Sequence, residues 1–107
     1  MTSNPSIDSL HRVGRALADS NRCEILLCLL DGAHYPTELA THLGLTKANV
    51  SNHLACLRGC GLVTASREGR RHRYELADSR LAHALEDLLS LGTELEPACP
   101  IESSGRS

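Results

Sequence analysis

The chain is poor in aromatic residues: its 107 residues include no tryptophan, no phenylalanine and only two tyrosines, Tyr35 and Tyr74. Two rings are too few for the stacking platforms that hold single-stranded nucleic acids, so a polynucleotide partner would be a duplex. Long apolar runs are missing as well. No stretch approaches the ~20 apolar residues that cross a bilayer. The polar segment from Met1 to Asp8 has none of the basic-then-apolar order of a secretory signal. The expected location is the cytoplasm, with no membrane partner. Neither a glycine-rich phosphate loop nor a nucleophile elbow occurs, so an enzyme is not expected. Five cysteines cannot all pair with one another, and where thiols are kept reduced they stay available for metal or redox chemistry. A chain this short builds one core. It is expected over residues 1–95, with a mobile tail over 96–107, where Pro97 and Pro100 bracket Cys99.

Charge is present but unevenly placed. The formal net charge of −2 averages two unlike regions. Thr46 to Tyr74 holds six basic residues (Lys47, Arg58, Arg67, Arg70, Arg71 and Arg73) against Glu68 alone, a net of +5. The remainder carries five basic and twelve acidic side chains. A basic segment on an acidic body is the footprint of a localised polyanion contact.

The periodicity explains how that segment is built. Ile7, Leu10, Val13 and Leu17 recur at helical spacing, predicting a first helix from Pro5 or Ser6 to about Ala18. Ile25, Leu26, Leu29 and Leu30 predict a buried second helix that stops at Asp31-Gly32. Pro36 opens a short third helix to about Leu43, Gly44 turns the chain, and Thr46 caps a fourth through Val50, Leu54 and Leu57, which Gly59 and Gly61 weaken. Helix, glycine turn, helix is the helix-turn-helix pattern, whose second member reads DNA. From Leu62 the period becomes two, with Glu68-Gly69 as the turn of a β-hairpin. A last helix follows Asp78 or Ser79, and its leucine-dense face (Leu81, Leu85, Leu88, Leu89, Leu95) is wide enough to meet a second copy. The expected architecture is mainly α with a β-hairpin wing: a homodimeric winged helix-turn-helix.

That order of elements, with the run LGLTKANVSNHL from Leu43 to Leu54, resembles the ArsR/SmtB family of metal-sensing repressors, over roughly Leu10 to Leu95. Within the family, NVSNHLACLRGCGLV (Asn49 to Val63), GRALAD (Gly14 to Asp19) and LADS (Leu76 to Ser79) look most like its cadmium- and lead-sensing members. The resemblance implies a dimeric repressor released from its operator by Cd(II) or Pb(II), with Zn(II) a further candidate. It also implies three thiolates per site, at the positions of Cys56, Cys60 and Cys99. Two other sensor sites of the family find no match. Tyr35 and Thr37 stand where a third-helix thiol pair would be, and Asp78 is followed two positions later by Arg80 instead of histidine.

The chemistry of the thiols agrees with that implication. Cys56 and Cys60 are four residues apart, which puts their β-carbons about 5–6 Å from each other on one helical face, within reach of one ion but too far for a good disulfide. At ~100° per residue Leu54 and Leu57 stay within about 40° of Val50, while the two cysteines point near 240° and 280°, beside the core. Soft thiolates select soft cations, and Cys99 is the thiol free to swing in as a third ligand. Packing as small hydrophobes is the other reading of Cys56 and Cys60. It is the expected role of Cys23 and Cys28, while the six scattered histidines read as surface or cap groups.

Double-stranded operator DNA would meet Thr46, Lys47, Asn49, Ser51, Asn52 and His53 on the recognition helix. Arg67, Arg70, Arg71 and Arg73 on the wing would track phosphates or enter the adjacent minor groove. Two rivals stay open: a repressor switched by thiol redox or persulfide chemistry, and a dimerisation module whose arginines meet an acidic protein.

Overall fold

Caps and glycines mark several of the helix boundaries of this chain. The computed structural model describes residues 5–95. They form α1 (Pro5–Ala18), α2 (Ser20–Cys28), α3 (Pro36–Leu43), α4 (Lys47–Gly59), the hairpin strands β1 (Val63–Glu68) and β2 (Arg71–Leu76), and α5 (Ser79–Glu94). The expected tail of residues 96–107 lies outside the described residues.

Asp19, Thr46 and Asp78 each sit in extended backbone and accept a first-turn N–H: from Arg22 at 3.0 Å, Asn49 at 3.1 Å and Arg80 at 2.7 Å. A cap of this kind is worth about 1 kcal/mol. At the other ends Gly44 (φ 70°) and Gly61 (φ 81°) take left-handed backbone. The next residues then close the turn, Leu45 N–H onto the Ala40 carbonyl and Leu62 N–H onto the Leu57 carbonyl, both at 3.0 Å. This is the Schellman closure, with its apolar contact supplied at α4 by buried Leu57 and Leu62.

Two expectations need correction. The second helix does not run evenly to Asp31: it ends at Cys28 and tightens into a 3-10 turn, Leu29–Asp31, that keeps Leu29 buried. In the hairpin Glu68 pairs with Arg71, so the two-residue loop is Gly69-Arg70, with Gly69 at φ 63°. The fourth helix gives out where its glycines stand: Gly59 is its last residue and Gly61 supplies the left-handed stop. One further feature has no periodic signal at all. His34 adds a one-residue third strand, exchanging hydrogen bonds of 2.9 and 2.8 Å with Tyr74 of β2.

Ile25, Leu26, Leu39, Val50, Leu54, Leu57 and Val63 are fully buried, each contributing about 1.5–3 kcal/mol by leaving water. The core therefore lies where α2, α3 and α4 meet the foot of the wing. Among the described residues six large apolar side chains stay about half exposed or more, and all belong to the first and last helices or their ends: Ile7, Leu10, Leu88, Leu89, Leu91 and Leu95. Single exposed leucines are ordinary, but such a concentration marks an association surface.

Candidate nucleic-acid interface and thiol pair

Burial divides α4 into a locked face and a free one. Val50, Leu54 and Leu57 have no accessible surface, whereas Thr46, Lys47, Asn49, Ser51 and Asn52 are exposed and His53 is half-buried. The exposed set comes from the first two turns, where a recognition helix meets base edges. Its donors and acceptors suit the major groove, and Lys47 suits a phosphate. His53 differs from the others in lying near Asp19, whose carboxyl is held low first by the hydrogen bond from the Arg22 backbone and then by the Arg22 guanidinium.

Strand register sorts the wing arginines. Arg67 lies opposite His72 on one face; Arg71 and Arg73 lie opposite Glu68 and Ser66 on the other. Arg67 Nε donates to the Gly69 carbonyl at 2.9 Å and Arg73 Nη1 to Glu68 Oε2 at 3.1 Å. The Arg71 guanidinium lies 3.5 Å from the centre of the Tyr35 ring, a cation–π contact. Arg70, at the loop, has no such partner among the described residues. The four arginines are thus brought to one hairpin, but three are already oriented by the chain itself.

Two residues of this network escaped the sequence reading. The Tyr35 hydroxyl donates to Glu68 Oε1, joining the start of α3 to the wing. That bond raises the Tyr35 pKa, and with the Arg73 bond it lowers that of Glu68. The only available signal was a tyrosine beside a helix-opening proline and an acid alone in a basic hairpin, and neither is specific. His34 also departs from the surface role expected of the histidines: its Nδ1 lies 3.3 Å from Glu38 Oε1 and its Nε2 3.3 Å from Asp31 Oδ1.

At the far end of α4, Cys56 is exposed and Cys60 half-buried against the core. Both are free thiols. Cys60 is the residue that follows the last helical one, yet its N–H still bonds the Cys56 carbonyl at 3.0 Å, so the one-turn spacing survives. The third expected ligand, Cys99, lies outside the described residues. Among the described residues no three histidine, cysteine or acidic donors are gathered for a metal. Burial, and then Glu24, raise the Cys23 thiol pKa; burial, and then Asp31 and Glu24, raise that of Cys28. Both disfavour the ligating thiolate. In α5, the Asp78 carboxyl is held at about 2 by hydrogen bonds from the Arg80 side chain and backbone, which commits it to capping.

Among the described residues no helix is long and apolar enough to cross a membrane. The model of the bacterial regulatory protein, arsR family, matches residues 19–65, from the cap of α2 into β1. The HTH-type transcriptional regulator CmtR of Mycobacterium tuberculosis is 59% identical over 96 residues, covering 88% of this chain and 81% of that protein. The NMR structure of the cadmium metal-sensor CMTR from the same organism superposes with a TM-score of 0.67 at 58% identity, over 87% of this chain and 97% of that one. A homodimeric winged helix-turn-helix DNA-binding domain of Mycobacterium bovis, Mb0332, gives a TM-score of 0.80 at 32% identity, over 87% of this chain and 89% of that one. With its helix-turn-helix, basic wing and this degree of identity to a transcriptional regulator, the chain belongs to the arsR family of bacterial regulatory proteins.

Proposed function

We propose that the protein is a cytoplasmic transcriptional repressor that holds duplex operator DNA as a homodimer and releases it when Cd(II) or Pb(II) is bound by the thiolates of Cys56, Cys60 and Cys99. One observation carries this reading: two free thiols, one turn apart, end the same helix whose first turns present Thr46, Lys47, Asn49, Ser51 and Asn52. The identity to the mycobacterial cadmium sensor supports it. In this reading residues 1–95 bind DNA and dimerise through the exposed leucines of α5, and residues 96–107 donate Cys99.

The donor set fits the metal. Thiolates without carboxylate or imidazole partners favour soft cations over magnesium, calcium or manganese, and Zn(II) stays a further candidate. A bound soft cation supplies a fixed link between sulfurs, and the thiols lose their protons as it forms. The chain's own part is mechanical. Cys60 is packed against the core and Cys56 is free, so drawing the two sulfurs and Cys99 together moves the end of α4 against a locked face. A coupling of about 1–3 kcal/mol, or roughly 5- to 150-fold in operator affinity, is the usual size of such an effect.

Anaerobic titration tests it. Cd(II) should produce a sulfur-to-metal charge-transfer absorption and weaken operator binding together, and Cys56→Ser or Cys60→Ser should abolish both while leaving metal-free DNA binding intact. A reduced protein that answers only to oxidant overturns metal sensing in favour of a dithiol switch.

A further inference from the structure

Between the wing and the start of α4 lies a cleft of about 250 Å³ walled by Tyr35, Thr37, Lys47, Ser51, Arg70 and Arg71 among others. No carboxylate lines it. Three of these side chains carry positive charge and Thr37 and Ser51 add hydroxyl donors, while the Tyr35 hydroxyl is engaged by Glu68. The neighbouring cavity, about 270 Å³, has the opposite character, with Asp31 and Glu38 in its wall. The donors therefore converge on one place and do not simply follow the average charge of the surface.

Glu68, which pairs with Arg71 across the hairpin, does not line the cleft and accepts two bonds, from the Tyr35 hydroxyl and from Arg73 Nη1 at 3.1 Å. Tyr35 is the joint of the assembly. Its backbone N–H donates to Glu38 Oε1 at 2.9 Å, its hydroxyl holds the wing, and its ring supports Arg71 at 3.5 Å. Immediately before it, His34 pairs with Tyr74 of β2. The separation between the arginines of the wing tip and Lys47 is thus fixed from the start of α3.

We propose that this cleft seats a single backbone phosphate of the operator, with Lys47, Arg70 and Arg71 supplying charge and Thr37 and Ser51 supplying hydroxyl donors. Tyr35 is the positioning residue that holds the wing at the required distance. The assignment rests on the DNA-binding reading above and adds which group is bound, by what, and how the wing is held. Charge-assisted hydrogen bonds are short and strong, and a phosphodiester in this seat fixes the register of the protein on the duplex without reading sequence.

Operator duplexes carrying one neutral methylphosphonate, scanned along each strand, provide the test. Wild type should lose about tenfold in affinity at one linkage per half-site. There, Lys47→Gln should lose nothing further, while its losses add elsewhere. Lys47→Gln should also lower the slope of log affinity against log salt by about 1 per half-site, equally on operator and random duplex. Tyr35→Phe keeps the ring and removes the hydroxyl. It should blunt the effect of that one linkage while the melting temperature stays unchanged, which a merely structural role would not do. Losses that add at every linkage overturn the phosphate seat while DNA binding stands. Absence of duplex binding by wild type overturns the DNA reading itself. Inorganic phosphate alone, titrated at millimolar concentration and followed by the amide shifts of Tyr35 and Lys47, should not bind; saturation would reassign the cleft to a free anion.

Discussion

The two ends of α4 are built from the same helix but to different specifications. The start is fixed three times over: Thr46 caps it, α3 and the Tyr35 network flank it, and the arginines of the wing stand beside it. The end holds Gly59, the half-buried Cys60 and left-handed Gly61, and the Cys56 side chain, though its helix is packed on both sides, points to solvent. Between them Val50, Leu54 and Leu57 are buried without a gap in exposure. From Asn49 to Cys60 the axis rises about 16 Å. The contrast teaches that the proposed groove-reading and thiol sites are kept apart by a packed spacer, and packed cores shift between arrangements instead of deforming smoothly. In the proposed function, a pull on the end would therefore be felt at the start.

The most damaging way to break that arrangement is to hollow the spacer. Leu54→Ala removes a fully buried side chain midway between the two ends and should cost about 2–5 kcal/mol, much of the ~5–15 kcal/mol a small domain has in total. Urea unfolding should show the loss, and operator binding and metal response should fall together. If both functions survive with stability reduced by this amount, the two ends are not coupled through the buried face.

Much of this was legible in the sequence for a physical reason: α4 obeys local rules at every position. Thr46 before the first turn, apolar residues at 50, 54 and 57, and Gly61 after the last turn are each sufficient signals. The thiol spacing is equally local, since four residues on a helix are neighbours whatever else the chain does. What stayed hidden is long-range. The bond from Tyr35 to Glu68 spans 33 residues, and the pairing of His34 with Tyr74 depends on where the hairpin docks. Neither leaves a period to detect. The loop lies at Gly69-Arg70 and not one residue earlier, because a single glycine can serve either position of a two-residue turn and only the strand register decides between them.

A gentler perturbation acts on the start alone. Thr46→Ala deletes the oxygen that accepts the Asn49 N–H at 3.1 Å and should cost about 1 kcal/mol in thermal or urea unfolding. Operator affinity should fall, while Cd(II) stoichiometry and charge-transfer intensity stay those of wild type. Thr46→Asn, which keeps a capping oxygen, should recover stability and so separate capping from any direct contact of the threonine with DNA. Loss of metal binding in Thr46→Ala would mean that the cap supports the thiol end of the helix as well as its start.

The smallest effect is one of pH, and it concerns the strand that ties the wing to the start of the helix. His34 presents its two ring nitrogens to Asp31 and Glu38, each at 3.3 Å, in a cavity also walled by Cys28 and His42. Burial works to lower its pKa, but the bonds to Asp31 and Glu38 outweigh it and hold the group above its ordinary 6.5. A histidine whose pKa is raised on folding contributes its full stabilisation below about 6.5, and that contribution disappears as the pH climbs through the folded value. Both carboxylates are solvent-exposed, so the effect is expected at the scale of surface pairs, about 0.2–1 kcal/mol. Urea unfolding of wild type and His34→Gln between pH 6 and 8 measures it as a difference. Wild type should lose its advantage with rising pH, and identical profiles would mean that the wing is held by the backbone pairing with Tyr74 and the Tyr35 network, with no contribution from the ion pairs.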